Sequence, residues 1–264
     1  MTPVRLTVDD GVARLTLTRP DTGNALDLAA AQALDEATAT LAGTAGLRAV
    51  LIDAEGPAFT VGGDLRFLAA HLDALPEQVT ALLGHYHAAL PRLATLPVPV
   101  VAAVQGAAAG GGLGLLWVAD VVLAADDLRI VTGFDKLGLS GDGGSSWFLP
   151  RLLGLRRARQ VFLAGRGLCA ADALDWGLVD RIVPRADLEA EAEAELARWA
   201  AGPTAAYGRM KRLLAPPGEE YVAHLAAECA AMTACAAEPD VREGVTAFLE
   251  HRRPTFTGRG AAHE

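Results

Sequence analysis

Hydrophobic and polar residues alternate along two segments near the amino terminus, Arg5 to Asp9 and Val12 to Thr18. A period of two predicts half-buried strands, and the Asp10-Gly11 pair between the segments is typical of a tight hairpin turn. The pattern changes at Leu28 to Leu41, where apolar residues recur at helical spacing behind Asp27, a residue suited to a helix amino-terminal cap. The chain therefore begins with a predicted β-hairpin and a helix.

Through the first three-quarters of the chain, short apolar runs alternate with segments of helical periodicity, and after Asp187 only helical patterns remain. This order predicts an α/β core followed by a carboxy-terminal helical subdomain, which we divide as residues 1–200 and 201–264. Further strands are predicted at Ala49 to Asp53, Val98 to Val104, Val121 to Ala125 and Val179 to Val183. A short helix is predicted to end at about Val118. The other helices are predicted at Glu77 to Leu96, Leu155 to Leu163, Ala170 to Trp176, Leu188 to Ala201, Pro203 to Leu214, Tyr221 to Ala236 and Val241 to Arg252.

The net charge of −9 over 264 residues bears on the partners that the chain binds. An acidic chain disfavours nucleic acid, because phosphate binding needs a basic face, and an anionic small ligand needs a local group of cations. Three cysteines, Cys169, Cys229 and Cys235, show no metal-binding spacing and fit reduced thiols in the cytosol. The amino terminus has no apolar signal region, and the longest apolar stretch, Ala107 to Ala119, contains four glycines. We predict a cytoplasmic protein without a membrane span.

The sequence lacks the common motifs for nucleotide, metal and serine-nucleophile chemistry. It contains no GxxxxGK[ST] phosphate loop, no GxGxxG after a strand, no HExxH and no GxSxG, and its six histidines are scattered. We therefore expect no metal site and no bound cofactor.

Two glycine sites follow predicted strands, at Gly62-Gly63 and at Gly110-Gly111-Gly112. A strand that turns into a helix at glycine leaves backbone N–H groups without helical partners and lets a ligand approach the chain closely. Such a junction binds an anion or stabilises one that forms during a reaction. Taken alone, the two sites are better explained as ordinary tight turns.

Both glycine sites resemble signatures of one known family. Phe59 to Leu65, FTVGGDL, is similar to the first signature of the crotonase (enoyl-CoA hydratase/isomerase) superfamily, and Gln105 to Leu113, QGAAAGGGL, is similar to the second. The family's other blocks are resembled, in the same order, by Arg19 to Leu26, Leu137 to Asp142, Leu174 to Val179 and Phe248 to Phe256. Six matches in order over almost the whole chain make the resemblance specific.

The resemblance implies a fold, an assembly and a ligand. The fold is a crotonase-type ββα spiral core, with carboxy-terminal helices that form homotrimers, often paired as dimers of trimers. The ligand is an acyl-coenzyme A thioester, so coenzyme A enters with the substrate. By the same resemblance, the backbone N–H groups of Gly63 and Gly111 form an oxyanion hole for the thioester carbonyl.

The chain departs from the family's hydratases at the two glutamates that position and ionise water. The matching positions are Gly114 and Phe134, and neither residue transfers a proton. Asp135 follows Phe134, but successive residues of an extended chain point to opposite sides. The departure disfavours simple hydratase chemistry.

An acid is nevertheless available at Asp142, in a glycine-rich turn. This position matches the aspartate of family isomerases related to phenylacetate breakdown, and also the nucleophilic aspartate of 4-chlorobenzoyl-CoA dehalogenase. An apolar wall around such a carboxyl raises its pKa and improves it as a base near neutral pH. The alternative is structural, with Asp142 capping its turn or the next helix. The residues predicted for the wall are Phe134, Leu139, Trp147 and Phe148.

The resemblance also suggests contacts for the rest of an acyl-CoA. They are Ala25, Thr60, Gly62, Asp64, Leu65, Arg66, Phe134 and Lys211, with the backbone carbonyls of the 60–62 turn near the adenine. Further candidate cations for the CoA phosphates are Arg19, Arg209, Arg212, Arg252 and Arg253. The acyl chain is expected among Phe67, Leu68, Leu82, Tyr86, Phe134 and Trp147.

The main hypothesis from the sequence is an enoyl-CoA isomerase in which Asp142 carries a proton between carbons while Gly63 and Gly111 polarise the thioester. Three alternatives stay open. One is a hydratase that recruits water through Asp142 or Asp135, and another is a CoA-ester hydrolase or dehalogenase-like enzyme with Asp142 as nucleophile. The third is a non-catalytic RNA-binding relative, which the net charge disfavours.

Overall fold

The hairpin and the first helix lie where the sequence predicts them. A computed structural model describes residues 2–214 and 218–258, so residues 215–217 and 259–264 of the predicted helical subdomain lie outside the described residues. Strands β1 (Val4–Asp9) and β2 (Val12–Leu17) pair antiparallel. Helix α1 (Leu28–Gly43) begins behind Asp27, whose side chain accepts a hydrogen bond from the Ala30 N–H at 2.8 Å. The predicted cap is confirmed.

The remaining elements alternate between strands and helices and end in a helical tail, as predicted. The strands are β3 (Ala49–Ala54), β4 (Val100–Val104), β5 (Ala107–Ala109), β6 (Val121–Ala125), β7 (Arg129–Val131), β8 (Leu168–Cys169) and β9 (Arg181–Val183). The helices are α2 (Leu65–Ala70), α3 (Leu75–Thr95), α4 (Gly114–Trp117), α5 (Ser145–Phe162), α6 (Ala170–Asp175), α7 (Leu188–Ala200), α8 (Thr204–Leu213), α9 (Glu219–Ala236) and α10 (Pro239–Leu249).

The strands form two sheets. The larger has six strands in the order β1-β2-β3-β4-β6-β9, and every pair except the hairpin is parallel. The smaller has three strands in the order β5-β7-β8, with β5 and β7 parallel. Because β5 follows β4 after only two residues, the chain passes directly from the large sheet to the small one. The second glycine site begins where β5 ends.

Both faces of the large sheet are covered, which explains why its inner strands are continuous apolar runs. Successive side chains alternate between the faces. Val50 and Ile52 face the core that α1 and α3 share, whereas Ala49 and Leu51 face the core formed with α7. The sequence pattern for buried parallel strands is therefore confirmed.

Helix α5 is longer than the sequence predicts. The predicted segment, Leu155 to Leu163, matches only the second half of a helix that begins at Ser145 and kinks at Gly154, where φ is 72° and ψ is 154°. Pro150 and Gly154 interrupt the helical pattern and hide the first half. Strands β5, β7 and β8 and helix α2 were not predicted, because segments of two to six residues are too short for a period to stand out.

The carboxy-terminal helices pack into the same core as the strands. Tyr221 and Met232 of α9 and Val241 of α10 are buried in the cluster that contains α1, α3 and the large sheet. Within residues 2–214 and 218–258, no helix combines the length and the apolar character needed to cross a membrane. The contact between α3 and α9 matters most here, because both helices reach the candidate site.

Candidate active site

An apolar pocket of about 310 Å³ opens beside both glycine sites. Gly63, Gly111 and Asp142 all line it, so the fold brings together the three residues that the sequence singles out for chemistry. Its volume lies within the usual range for small-molecule sites. The rest of the wall is almost entirely apolar and includes Val61, Leu65, Leu68, Val79, Leu82, Leu83, Val131, Phe134, Leu137, Leu139, Met232 and Phe248.

A second cavity, of about 450 Å³, lies on the opposite face of the large sheet against α7. Its wall is polar and rich in ion pairs, among them Arg14 with Asp53 and Arg14 with Glu193. None of the residues predicted for catalysis lines this cavity. The apolar pocket is therefore the candidate active site.

The Gly63 N–H points into the apolar pocket because of how its loop pairs with Leu26. In this parallel bridge the Gly62 carbonyl accepts the Leu26 N–H at 2.8 Å, and the Asp64 N–H donates to the Leu26 carbonyl at 2.9 Å. N–H groups alternate in direction along an extended chain, so the intervening Gly63 N–H points away from Leu26. Among the described residues, no heavy atom beyond its neighbours lies within 4 Å of a Cβ built on Gly63. The Gly63 N–H has no hydrogen-bond acceptor among the described residues, so this donor is available to a ligand.

The second donor, the Gly111 N–H, lies in the first turn of a 3-10 helix that spans Gly110–Leu113. N–H groups in a first helical turn have no acceptor within the helix. The Tyr86 hydroxyl donates to the Gly111 carbonyl at 2.7 Å and so fixes the orientation of this peptide. A Cβ on Gly111 would lie 2.3 Å from Asp142 Oδ1, so only glycine lets the carboxyl pack against the backbone here.

Hydrogen bonds around Thr60 fix the two glycine loops to each other. Thr60 is fully buried, and its hydroxyl donates to the Asn24 carbonyl at 2.8 Å. Its own carbonyl accepts the Ala109 N–H at 2.9 Å. A Cβ on Gly62 would lie 2.8 Å from the Ala109 carbonyl oxygen, so the loops are in direct contact. The spacing of the two candidate oxyanion donors is thereby held constant.

The Asp142 carboxyl is the acid of the site. The residue is only 8 % exposed, and among the described residues its Oδ1 atom has no hydrogen-bond partner. Burial, together with the charge of Glu228, raises the pKa of Asp142 to about 7. Such a group is available in both protonation states near neutral pH, which suits a residue that takes and returns a proton.

Asp142 does not cap the following helix, so the structural alternative for this residue is wrong. Only its backbone carbonyl reaches the Ser145 N–H, at 3.3 Å. The cap comes from Glu228 of α9, which accepts the Gly144 N–H at 2.8 Å and the Ser146 N–H at 3.2 Å. Glu228 is not predicted from the sequence, because a contact across 84 positions leaves no local pattern. The available signal was a lone carboxylate in an otherwise apolar stretch of a helix.

His87 supports the same turn from α3 and was also missed. Its Nδ1 lies 3.0 Å from the Leu225 carbonyl, and its Nε2 accepts the Gly143 N–H at 3.4 Å. A carbonyl only accepts, so Nδ1 carries the hydrogen. Burial lowers the pKa of His87 to about 4, and the ring is therefore neutral at physiological pH.

The two positions that match the hydratase glutamates carry no acid group that could bind and ionise a water molecule. A Cβ on Gly114 would lie 2.5 Å from the Gly143 carbonyl oxygen and 2.8 Å from the Tyr86 hydroxyl, so no longer side chain fits. Phe134 lines the pocket and packs on Phe162 with ring centroids 5.8 Å apart. Asp135 does not line the pocket, and its carboxyl lies against Gly165. Asp142 is the one carboxylate among the described residues of the pocket wall.

The residues predicted for the acyl chain and for the apolar wall around Asp142 divide into two groups. Leu68, Leu82, Phe134 and Leu139 line the pocket, whereas Phe67, Tyr86, Trp147 and Phe148 do not. Trp147 lies under the Arg151 guanidinium at 3.3 Å, and the Phe148 ring packs against Tyr221 at 5.3 Å. Tyr86 lies behind Gly111, and Phe67 contacts His71 at 4.5 Å. A sequence pattern identifies apolar residues but does not separate pocket walls from the core behind them.

The other predicted CoA contacts remain predictions, and the structure locates each of them. Leu65 and Phe134 line the pocket. Asp64 caps α2 by accepting the Arg66 N–H at 2.9 Å and the Phe67 N–H at 3.1 Å. The Ala25 carbonyl accepts a hydrogen bond from the Arg19 guanidinium, and the Thr60 and Gly62 carbonyls join the loops as described above.

Two cations near the pocket are unpaired within the part of the chain that the structure describes. Arg66 directly follows the pocket residue Leu65 and is exposed, and Lys136 is exposed and lines the pocket. Arg66 is predicted from the sequence as a CoA contact, whereas Lys136 is not. Two of the other candidate cations are engaged elsewhere, since Arg19 forms an ion pair with Asp27 and Arg252 forms one with Glu243.

Lys211 lies away from this pocket. Its ammonium donates to Asp120 and, at 2.9 Å, to the Val98 carbonyl. These partners precede β4 and β6, whereas the glycine site follows the opposite end of β4. Within one chain Lys211 therefore does not reach the candidate active site.

The comparisons with known proteins identify the family of the chain. The family described as Enoyl-CoA hydratase/isomerase matches residues 7–259. A probable enoyl-CoA hydratase of Rhodobacter capsulatus is 38% identical over 257 residues, which cover 97% of this chain and 98% of that protein. The 1,2-epoxyphenylacetyl-CoA isomerase of Escherichia coli is 33% identical over 256 residues, which cover 96% of this chain and 97% of that protein.

A solved structure gives the same result for the fold. The enoyl-CoA hydratase/isomerase from Pseudoalteromonas atlantica superposes with a TM-score of 0.84 at 32% identity, over 96% of this chain and 99% of that chain. The predicted crotonase-type α/β core with a carboxy-terminal helical region is therefore confirmed. The chain belongs to the enoyl-CoA hydratase/isomerase family, whose members act on acyl-CoA thioesters.

Proposed function

We propose that the protein moves the double bond of an enoyl-CoA from C3 to C2, with Asp142 as the group that carries the proton. The observation that supports this most is that Asp142, the one carboxylate among the described residues of the pocket wall, packs against Gly111, one of the two glycines of the candidate oxyanion hole. Hydration in this family uses two glutamates, and both positions are filled by residues without acid groups, Gly114 and Phe134. One carboxylate beside an oxyanion hole suffices for isomerisation.

In the proposed reaction the Asp142 carboxylate removes a proton from C2 of a 3-enoyl thioester. The electrons of the C–H bond pass into a dienolate, whose negative charge lies on the thioester oxygen. The N–H groups of Gly63 and Gly111 donate to this oxygen, and one such donor typically lowers the barrier by about 3 kcal/mol. The protonated Asp142 then delivers the proton to C4, and the electrons return to form the C2–C3 double bond. The carboxylate is regenerated, and neither water nor an electron donor is consumed.

The proposed acyl group is an uncharged hydrocarbon. Apart from Asp142, the polar side chains among the described residues of the pocket wall are Thr132 and Lys136, and Lys136 is exposed at the surface. A polar acyl substituent would lose its hydration without gaining a partner, which costs free energy. A medium-length alkenyl or an unsubstituted cyclic group meets this condition.

The pH dependence of the reaction tests the role of Asp142. The carboxyl takes the C2 proton only when it is ionised, so we expect kcat/KM to be low below its pKa and level above it. Since the pKa of Asp142 is about 7, the rise is centred near neutral pH instead of near the ordinary value of 3.8. The assay follows the ultraviolet absorbance of the conjugated product from 3-hexenoyl-CoA. A rate that is constant from about pH 5 to about pH 9 would contradict a base of this kind.

Arg66 and Lys136 are proposed to bind the phosphate end of coenzyme A. Replacing both with alanine is expected to raise KM for a CoA thioester about tenfold and to leave kcat within about twofold, because the contacts are remote from the reacting carbons. Arg156→Ala, which removes an exposed arginine of α5, serves as the matched control.

A thioester of pantetheine, which lacks the nucleotide phosphates, separates charge from shape. The double variant and the wild type should have the same KM for this shorter substrate. An equal rise in KM for both substrates, or no rise for the CoA thioester, would rule out the phosphate contact.

A second candidate function follows from the unpartnered Oδ1 atom of Asp142, which is free to attack an electrophilic carbon. The enzyme would then be a CoA-ester hydrolase or an aryl substitution enzyme, with a covalent intermediate on Asp142. Mass spectrometry of rapidly quenched enzyme detects such an adduct, and hydration of crotonyl-CoA tests the hydratase alternative. Isomerisation without an adduct and without hydration supports the first proposal.

A further inference from the structure

Helix α9 carries a second buried carboxylate close to the candidate site. Glu228 is 5 % exposed, and its Oε1 accepts both the Ser146 hydroxyl at 2.5 Å and the Ser146 N–H at 3.2 Å. Its Oε2 accepts the Gly144 N–H at 2.8 Å. These donors follow Asp142 by two to four residues and form the start of α5. A side chain from a distant helix therefore satisfies the first N–H groups of α5.

Glu228 is also positioned to act on Asp142 by its charge. Burial raises the pKa of Glu228 above its ordinary value, and the donors from Ser146 and Gly144 act in the opposite direction. Three hydrogen-bond donors and the start of a helix favour the anionic form of Glu228. Asp142 lies within reach of this charge, which adds to the effect of burial on its proton affinity.

The other titratable groups that face Asp142 do not supply such a charge. Burial raises the pKa of Tyr86 and of Tyr221 and lowers the pKa of His87, so these three side chains stay neutral. The Nε2 atom of His224 lies 2.7 Å from the Ser146 hydroxyl, which also donates to Glu228. Lys136 is cationic and acts in the opposite direction. Besides Glu228, the set is Tyr86 and His87 on α3, Tyr221 and His224 on α9, and Lys136 on the pocket wall.

We propose that Glu228 is the positioning residue for Asp142: from helix α9 its carboxylate fixes the turn at residues 143–146 and holds a second negative charge within reach of the Asp142 carboxyl. This role rests on the proposed function in so far as Asp142 is the proton carrier. A stronger base removes a proton from carbon more readily, so a nearby fixed anion makes Asp142 more effective. The carboxy-terminal helices thereby contribute to the chemistry as well as to the core.

Carboxyl carbon-13 NMR of the full ligand-free chain tests this inference directly, because it measures the titration of Asp142 without any substrate. In Glu228→Gln, the pKa of Asp142 should fall by at least about half a unit. The low-pH limb of kcat/KM should move down by the same amount, and kcat above that limb should fall several-fold. Glu228→Asp keeps the charge and should restore most of the shift. Glu220→Gln removes a charge from an exposed position on the same helix and should leave the titration unchanged.

The proposal is overturned if Asp142 titrates in Glu228→Gln as it does in the wild type, or if Glu220→Gln causes the same shift. A loss of kcat without a shift of the low-pH limb of kcat/KM would show that Glu228 has a purely structural role. Should Glu228→Gln fail to fold, Ser146→Ala replaces it, because this variant removes one donor and should raise the pKa of Glu228. An unchanged Glu228 titration there would equally contradict the anchoring contact. Failure of the 3-enoyl-CoA assay with a positive titration would reject the reaction and keep the Glu228–Asp142 coupling.

Discussion

The Asp142→Asn variant is expected to isomerise a 3-enoyl-CoA about a thousandfold more slowly than the wild type. Asparagine has nearly the same shape as aspartate, but its amide neither removes a proton from C2 nor delivers one to C4. The pocket wall and the N–H donors of Gly63 and Gly111 remain, so the variant should bind the product 2-enoyl-CoA with unchanged affinity. Steady-state kinetics and a binding titration together measure both effects. A variant with wild-type kcat would show that another group carries the proton.

The Asp142→Asn variant is expected to lose activity but to gain stability relative to the wild type as pH rises. The pKa of Asp142 is about 7 in the fold and 3.8 ordinarily, so between these values the folded protein binds more protons than the unfolded chain. The stability of the wild type therefore falls as pH rises through this window. Asparagine has no charge to bury. The melting temperature of the variant minus that of the wild type should therefore increase from about pH 4 to about pH 7 and remain constant above that. A difference that is the same at every pH would show that Asp142 is not buried as a titrating group.

Gly111→Ala is the second change with a large expected effect. The added methyl group would lie 2.3 Å from Asp142 Oδ1 and 2.8 Å from its Oδ2, closer than van der Waals contact allows. The carboxyl must move away from the oxyanion hole, and a displacement of about 1 Å typically costs about a hundredfold in rate. We expect kcat to fall by at least this factor, with a smaller effect on substrate binding, as measured in the 3-hexenoyl-CoA assay.

Gly84→Ala is the matched control for that change. Gly84 lies on α3, and no heavy atom of the described residues lies within 4 Å of a Cβ built on it, apart from the neighbours in its own helix. Alanine also favours a helix over glycine, so this variant should be fully active and slightly more stable. If Gly111→Ala retained the activity of Gly84→Ala, the contact between Asp142 and the Gly111 backbone would not be part of catalysis.

The sequence was sufficient to predict the site residues whose proposed function depends on local backbone conformation. Gly63 and Gly111 are recognisable because a strand that turns at glycine leaves free N–H groups, and the family signatures fix their positions. Asp142 was recognisable because it stands in a glycine-rich turn at a position that matches a family aspartate. Predictions of this kind need only neighbours along the chain.

The sequence was insufficient where two distant elements meet. Glu228 and His87 hold the turn around Asp142, but each belongs to a helix far away in sequence and has no motif of its own. Trp147 was predicted to line the pocket and instead packs under Arg151, because periodicity does not tell which apolar side chains face a cavity. Lys211 is predicted to contact coenzyme A; within its own chain it pairs with Asp120 and does not line the pocket. Each of these outcomes depends on tertiary packing that one-dimensional patterns do not contain.

The most direct test of the account follows the hydrogen that Asp142 is proposed to carry. A single turnover of 3-hexenoyl-CoA that carries deuterium at C2, quenched rapidly, is analysed by mass spectrometry and NMR. The account predicts 2-hexenoyl-CoA with part of the deuterium transferred to C4, because one buried carboxyl takes the label and returns it. A product that has gained the mass of water, or a 2-enoyl product with no deuterium at C4, would contradict proton transfer by Asp142 alone.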